Sequence, residues 1–337
     1  MLMVIFGAGA SYDSYGAMTP PTTHPTRPPL ANELFQQRFG DDYQRFPQCH
    51  PIIPPLQKSG VNVESVLERL QQEATHYAPG LVQLAALRFY LGMMLWRCQA
   101  GWGSVTKGVT NYKTLLDQIA RQPIAKEKVI LASFNYDTLL DEALTSRGVN
   151  LRTISDYVNP RNEFYLVKLH GSINWVHPVI NFQAIENETI QGLTGRIIDR
   201  AAKLVIHNEA FEVVPANPFG RELKPYFPAI AIPVENKAGY ECPRNQMAIL
   251  EECLPHVDKL LIIGWRANER RFIETLRKGL PKEVRMMVVS SNEPSANETI
   301  ERIRRVVAIP EYSAAKGGFS QFIFSPEADG FFKEKKR

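Results

Sequence analysis

Short, fully apolar runs alternate along the chain with segments whose apolar positions recur every three to four residues, a rhythm that predicts an α/β protein. Residues 2–6 form a continuous apolar run closed by Gly7, the pattern of a strand buried on both faces of a parallel sheet. Comparable runs at 128–133, 164–169, 259–263 and 285–289 predict further strands, and the spacing over 137–147, 269–280 and 295–306 predicts the helices that follow three of them. Strands separated by helices of this length form parallel βαβ units.

The rhythm is interrupted. Five of the eleven residues at 19–29 are proline, which excludes a regular helix or central strand and predicts a loop. A helix is predicted over 30–39. After a second proline-rich connection, Val63, Val66, Leu67 and Leu70 recur at helical spacing, and helices near 62–77, 80–99 and 110–121 make a helical block. Residues 172–228 read as irregular, with mixed helical character over 180–207 and few strand signals. The expected fold is an open, mostly parallel Rossmann-like sheet over 1–29 and 125–310, with 172–228 as an irregular insertion. A helical module over 30–124 interrupts it, and residues 311–337 are left as a C-terminal segment and basic tail.

Composition narrows the function class. A chain of 337 residues with 44% hydrophobic residues buries a full core, and 39 Lys and Arg against 35 Asp and Glu give too little net charge for a dedicated nucleic-acid binder. The positive excess sits at 266–305 and 333–337, where it either attracts an anionic ligand or polyanionic partner, or is a solvated helical face and a frayed tail. Four scattered cysteines without a C-x-x-C pair indicate neither a disulfide framework nor a four-cysteine zinc site, which fits a reducing, cytoplasmic setting. The first basic residue is Arg27, so the N-terminus does not read as a signal peptide, and the apolar stretch 81–98 carries Gln83, Arg88 and Arg97, which predicts a buried helix with no membrane span.

Three polar clusters fall at predicted strand ends. Gly7-Ala8-Gly9-Ala10-Ser11 follows the first strand, where small residues let backbone N–H groups approach a phosphate. Tyr12 stands where a dehydrogenase fingerprint has its third glycine, and no acidic strand end follows about 20 residues on, which counts against hydride transfer. The sequence 133–137, Ser-Phe-Asn-Tyr-Asp, places Asn135 and Asp137 beyond the second strand. Asp137 reads equally as a helix N-cap. Lys168-Leu169-His170-Gly171-Ser172 places a histidine, whose ordinary pKa of about 6.5 suits base catalysis near neutral pH, at the same edge.

Gly7-Ala8-Gly9-Ala10-Ser11, Phe134-Asn135-Tyr136-Asp137, 168–172 and Ile262-Ile263-Gly264-Trp265 come in the order found in the sirtuin superfamily. Over roughly residues 1–310 the chain resembles the family's bacterial sirtuin-like branch, whose members are NAD-consuming effectors of antiphage defence. The resemblance implies that Gly7, Ala8, Gly9 and Ser11 contact the NAD phosphates and adjoining ribose. It gives Asn135 and His170 as catalytic residues with Asp137 as companion. Gly264 begins a later phosphate and ribose contact, with Arg266 as a phosphate partner, and Ser291 and Asn292 fall where the family touches the adenosine ribose. Trp265-Arg266-Ala267-Asn268-Glu269 departs from the family's Gly-Thr/Ser-Ser pattern.

The paired C-x-x-C motifs of the family's deacylases are missing, and Cys253-x-x-His256 supplies only two of the four ligands that a structural zinc needs. No zinc is therefore expected. Hydrolysis of NAD itself to nicotinamide and ADP-ribose is favoured, with ADP-ribosyl transfer, NAD-dependent deacylation, or NAD or ADP-ribose sensing without turnover as the alternatives. The resemblance further implies a homo-oligomer, or an assembly with an ATPase or Argonaute partner, that gates the activity. The 19–29 loop is either a lid over the nicotinamide or a passive connection.

Overall fold

Leu2–Phe6 (β1) is fully buried along its whole length, as an apolar run in the middle of a parallel sheet must be. Each such side chain contributes about 1.5–3 kcal/mol on burial. The computed structural model describes residues 1–15, 24–58, 60–74, 77–122, 127–234 and 239–333. In chain order the remaining strands are Val129–Ser133 (β2), Phe164–Lys168 (β3), Gly171–Pro178 (β4), Glu212–Val213 (β5), Tyr226–Ile230 (β6), Lys259–Ile263 (β7), Arg285–Val289 (β8) and Glu311–Ala315 (β9).

Six of them form one sheet in the order β3-β2-β1-β7-β8-β9, with every neighbouring pair parallel. The chain builds outward from β1 to β3, returns to the centre, and builds outward again from β7 to β9. This is the doubly wound Rossmann order, and its direction reverses between β1 and β7. Helices cover both faces. Asn111–Ala120, Leu139–Thr145, Gly318–Ile323 and Pro326–Phe332 pack on one, and Arg244–Cys253, Arg270–Gly279 and Glu293–Arg304 on the other.

The helical module is organised around one helix, Ala78–Thr106, whose Tyr90, Leu91 and Met94 are fully buried against Leu34, Phe35 and Leu67. Its length and mean hydropathy of 1.3 would suffice to cross a membrane, but Ala86, Leu87 and Cys98 also join this apolar cluster within the chain. The helix predicted over 80–99 runs seven residues further, to Thr106, and ends with Lys107 in the left-handed region.

Three expectations are corrected. Residues 30–39 do not form an α-helix. They make two single 3-10 turns, Ala31–Glu33 and Gln37–Phe39, and the Glu33 carboxylate accepts from the Leu30 N–H. Leu34, Phe35 and Phe39 are buried all the same, in the apolar cluster built around helix Ala78–Thr106.

Residues 172–228 are not short of strands: β4 pairs antiparallel with β5 and β6 in a second, three-stranded sheet. Ile173 and Ile230 of that sheet share a core with helix Ala78–Thr106, so the sheet and the helical block pack as one body. Finally, 311–315 is the edge strand of the main sheet, and Phe319, Phe322, Phe331 and Phe332 beyond it are buried in the core. Of the expected basic tail only Lys333 lies within the described residues.

Candidate functional site at the sheet's reversal point

The turns after β1 and β7 are interlocked through backbone. The Gly7 N–H donates to Ile263 O at 3.0 Å, and the Gly9 N–H donates to Gly264 O at 3.1 Å. A Cβ on Gly7 would lie 2.5 Å from Gly264 O, and one on Gly264 would lie 2.3 Å from the Ala10 nitrogen. Gly264 also has φ of +64°, a left-handed conformation that strains any residue with a side chain. Glycine is required here because two turns of the chain pass at contact distance where the sheet changes direction.

The turn after β2 is fastened to the same place. The Phe134 N–H donates to Phe6 O at 2.9 Å, and the Asn135 N–H donates to the Ser133 hydroxyl at 3.1 Å. The Asn135 Nδ2 then donates to Gly7 O at 2.9 Å, with Ser11 Oγ and Tyr112 OH each 3.0 Å away. A carbonyl only accepts, so this contact fixes which end of the amide faces the glycine turn. All of these hydrogen bonds run through Nδ2, which leaves Oδ1 as the group available to a ligand hydroxyl. The Ser11 and Tyr112 hydroxyls are themselves 2.8 Å apart.

Asp137 closes this cluster. It is not the N-cap of helix Leu139–Thr145, which is Thr138, but from one residue earlier its Oδ1 accepts from the Leu139 N–H at 3.1 Å. Burial pushes its carboxyl above the ordinary aspartate value, against the Lys168 charge and the Ser11 hydroxyl, which act the other way. Burial likewise pushes the Tyr112 phenol well above its ordinary value. Beneath Asp137 lies Lys168, fully buried. Its Nζ donates to Asp137 O at 2.6 Å, Ser172 Oγ at 2.6 Å and Asp141 Oδ2 at 3.0 Å. Tyr157 OH donates to the other Asp141 oxygen at 2.8 Å.

His170 stands at the end of β3, where Gly171 turns the chain into β4. Gly171 has φ of +78°, and a Cβ there would lie 1.9 Å from Ala229 O. The His170 ring packs edge-on to Phe134 at 4.9 Å and lies beside the Tyr136 ring at 6.0 Å. Its Nε2 is 3.9 Å from Glu269 Oε1, and the other Glu269 oxygen accepts from the Trp265 indole N–H at 2.5 Å.

The structure thus brings Gly7, Gly9, Ser11, Asn135, Asp137 and Gly264 into one bonded constellation, with Ala8 in the same turn and His170 at the neighbouring strand end. Arg266 lies two residues beyond Gly264 with its side chain exposed. Ser291 and Asn292 lie at the same edge beyond β8, and both are exposed. The Asn292 side chain accepts from the Ser295 N–H at 2.9 Å and caps helix Glu293–Arg304. The 19–29 loop is described only from residue 24. There Arg27 is buried, donates to Tyr12 O at 2.9 Å and packs on the Tyr12 and Trp102 rings.

Sequence reasoning missed Tyr112, Lys168 and Glu269 as parts of the site. Tyr112 looks like any apolar position of an amphipathic helix. Two clefts of about 840 and 660 Å³ open beside helix Ala78–Thr106, the second also walled by Tyr240 and Arg244, and neither is lined by Asn135 or His170. The second is walled by Glu241, whose Cγ lies close to Gly171. Among the described residues no three His, Cys, Asp or Glu side chains converge as a metal site.

No family model and no curated protein matches the chain. It is similar to a solved structure of Sir2 with the inhibitor EX-527, 2'-O-acetyl-ADP-ribose and a deacetylated p53 peptide, at 11% identity over 98% of this chain and 94% of that one, TM-score 0.39. It is also similar to a Sir2 homolog–NAD complex, at 12% identity over 96% and 86% of the two chains, TM-score 0.39. A third similar structure, Sir2 bound to a propionylated peptide, shows 10% identity over 98% and 93%, TM-score 0.38.

Proposed function

We propose that the chain binds NAD across the crevice between the ends of β1 and β7 and cleaves its nicotinamide–ribose bond, with water as the acceptor. The supporting observation is the Asn135 side chain, locked between Gly7 O and Ser11 at the reversal point of a doubly wound sheet. Ligands of such sheets bind in that crevice.

Nicotinamide leaves as a neutral molecule, because the electron pair of the breaking bond discharges its pyridinium, and no acid is needed on that side. The demand falls on the ribosyl carbon. Oδ1 of Asn135 accepts from a ribose hydroxyl or the attacking water and fixes its approach. His170, in its neutral form, takes the proton that water gives up as its oxygen bonds to the ribosyl carbon. The Asp137 carboxylate, when ionised, offsets positive charge at the ribosyl group. Gly7, Ala8, Gly9, Ser11 and Gly264 allow close approach of the pyrophosphate, and Arg266, Ser291 and Asn292 extend the contact towards the adenosine end.

Unrestrained turnover would deplete the host's NAD, so the activity belongs under a gate. In this reading the gate is assembly, with further copies of the chain or with a defence partner, inside the cell. Incubation with NAD and chromatography of the products tests the proposal. Equal nicotinamide and free ADP-ribose are expected, with turnover reduced about 10²–10⁴-fold in His170→Ala and binding retained. ADP-ribose bound to protein would identify a transferase, release that depends on an acylated peptide would identify a deacylase, and binding without turnover a sensor. Absence of both binding and turnover, alone and in assemblies, would overturn it.

A further inference from the structure

Glu269 occupies the N-cap position of helix Arg270–Gly279, and its carbonyl accepts from the Phe272 and Ile273 N–H groups at 2.9 and 3.1 Å. Its side chain makes no capping bond. Glutamate is outside the residues favoured at this position, which bond their own helix's N–H groups. The carboxylate turns away, accepts from Trp265 Nε1, and presents its second oxygen to His170 Nε2.

Two features hold that geometry. Ala267, between Trp265 and Glu269, has φ of +55°, an uncommon conformation for a residue with a side chain, and it bends the segment. Trp265 is buried and stacks on Phe134 at 5.1 Å with the rings parallel to within 2°, while Phe134 in turn packs against His170. Indole and phenyl are thereby fixed as a parallel stack with the imidazole edge-on to the phenyl, and the carboxylate accepts from the indole and faces the imidazole.

We infer that Glu269 is the positioning carboxylate of His170: held 3.9 Å from Nε2, it stabilises the imidazolium formed when that base is protonated. A carboxylate at 3.9 Å from a ring with little exposure interacts with the charged form far more than with the neutral one. The consequence for catalysis rests on the NAD-cleaving reading, whereas the interaction itself does not. Among the described residues, the charges near these rings include Glu64 and Arg88, which act on Tyr136 in opposite senses, and Arg271, which lies over the Tyr240 ring beside Glu269.

The test is NMR titration of the full chain labelled at histidine Cε1, with the His170 signal assigned among the seven histidines by its loss in His170→Gln. Glu269→Gln keeps an acceptor for the Trp265 indole, and Glu269→Ala removes the side chain. Both are expected to lower the His170 midpoint by about one unit, a roughly tenfold weaker hold on the proton. The ascending limb of the pH profile for NAD turnover is expected to move to lower pH by the same amount. A His170 midpoint equal to the parent's in both variants overturns the inference. A shifted midpoint in a protein that never turns over NAD sinks the NAD-cleaving reading and leaves the Glu269–His170 pair standing.

Discussion

Asn135, just past the end of β2, donates its side-chain amide to the carbonyl of Gly7, just past the end of β1, at 2.9 Å. One contact therefore couples the side chain proposed to orient the attacking water to the turn proposed to seat the pyrophosphate. Asn135→Asp keeps the shape but sets a carboxylate oxygen against a carbonyl oxygen. Turnover is expected to fall about 10²–10⁴-fold and stability by about 1–3 kcal/mol, measured by product chromatography and urea denaturation. Parent-like values in both would remove Asn135 from the site.

The glycine turns give a paired prediction. Gly264→Ala introduces a side chain into a left-handed backbone, a cost of roughly 1–3 kcal/mol before any clash, and its Cβ would meet the Ala10 nitrogen at 2.3 Å. The variant is expected to lose both stability and NAD binding. Gly103 lies inside helix Ala78–Thr106 with nothing within 4 Å of a Cβ. Gly103→Ala is expected to gain about 0.5–1 kcal/mol. Thermal melts of the two variants side by side check both signs.

Asp137 sets function against stability. Burial raises its carboxyl above the ordinary value in the folded chain, so the native state holds the proton more tightly than the unfolded one. The group's contribution is most favourable below the ordinary aspartate value, about 3.9, declines as pH rises through the raised value, and stays low above it. Asp137→Asn retains an acceptor for the Leu139 N–H and removes the ionisation. Its melting temperature is expected to exceed the parent's near neutrality, with the difference shrinking in acid, while turnover falls. An advantage that instead grew as pH fell would contradict this assignment.

Lys168 and Asp141 form a pair almost wholly shielded from water. Lys168→Met strands a buried carboxylate and is expected to cost about 3–5 kcal/mol, and restoring neutrality with Asp141→Asn in the same chain should recover part of that loss. A double-mutant cycle by chemical denaturation measures the recovery. Strict additivity would mean that the two charges do not depend on one another.

A chelator is expected to leave the melting temperature unchanged, and elemental analysis to find no stoichiometric zinc. Cys253 is buried with its side of helix Arg244–Cys253 in the apolar core, where a thiol acts as a small hydrophobe. One zinc per chain would reopen deacylation.

The parallel strands were legible because a strand buried on both faces has to be continuously apolar, as 2–6 and 259–263 are. The antiparallel sheet was not. Gly171–Pro178 carries Ser172, Asn174 and His177, its partner Tyr226–Ile230 contains Pro228, and its pairing with β5 and β6 brings together distant residues that no local window can read. The edge strand Glu311–Ala315 was hidden for a related reason: exposed and half-buried positions replace the apolar run. Within the site, Asn135 and His170 announced themselves as polar residues at apolar strand ends. Glu269 did not, since its approach to His170 depends on a left-handed backbone at Ala267, an alanine where glycine would be the recognisable signal.

The central position of β1 also governs how the chain can fold as it is made. Residues 2–6 are made before both of their partners: one edge of that strand is completed only by 129–133 and the other only by 259–263. Until residue 263 has been made, this wholly apolar segment has at least one open edge. Such long-range pairing makes for slow folding and exposure to aggregation, so a ribosome-bound or truncated chain ending before residue 259 should depend on chaperones far more than the finished one.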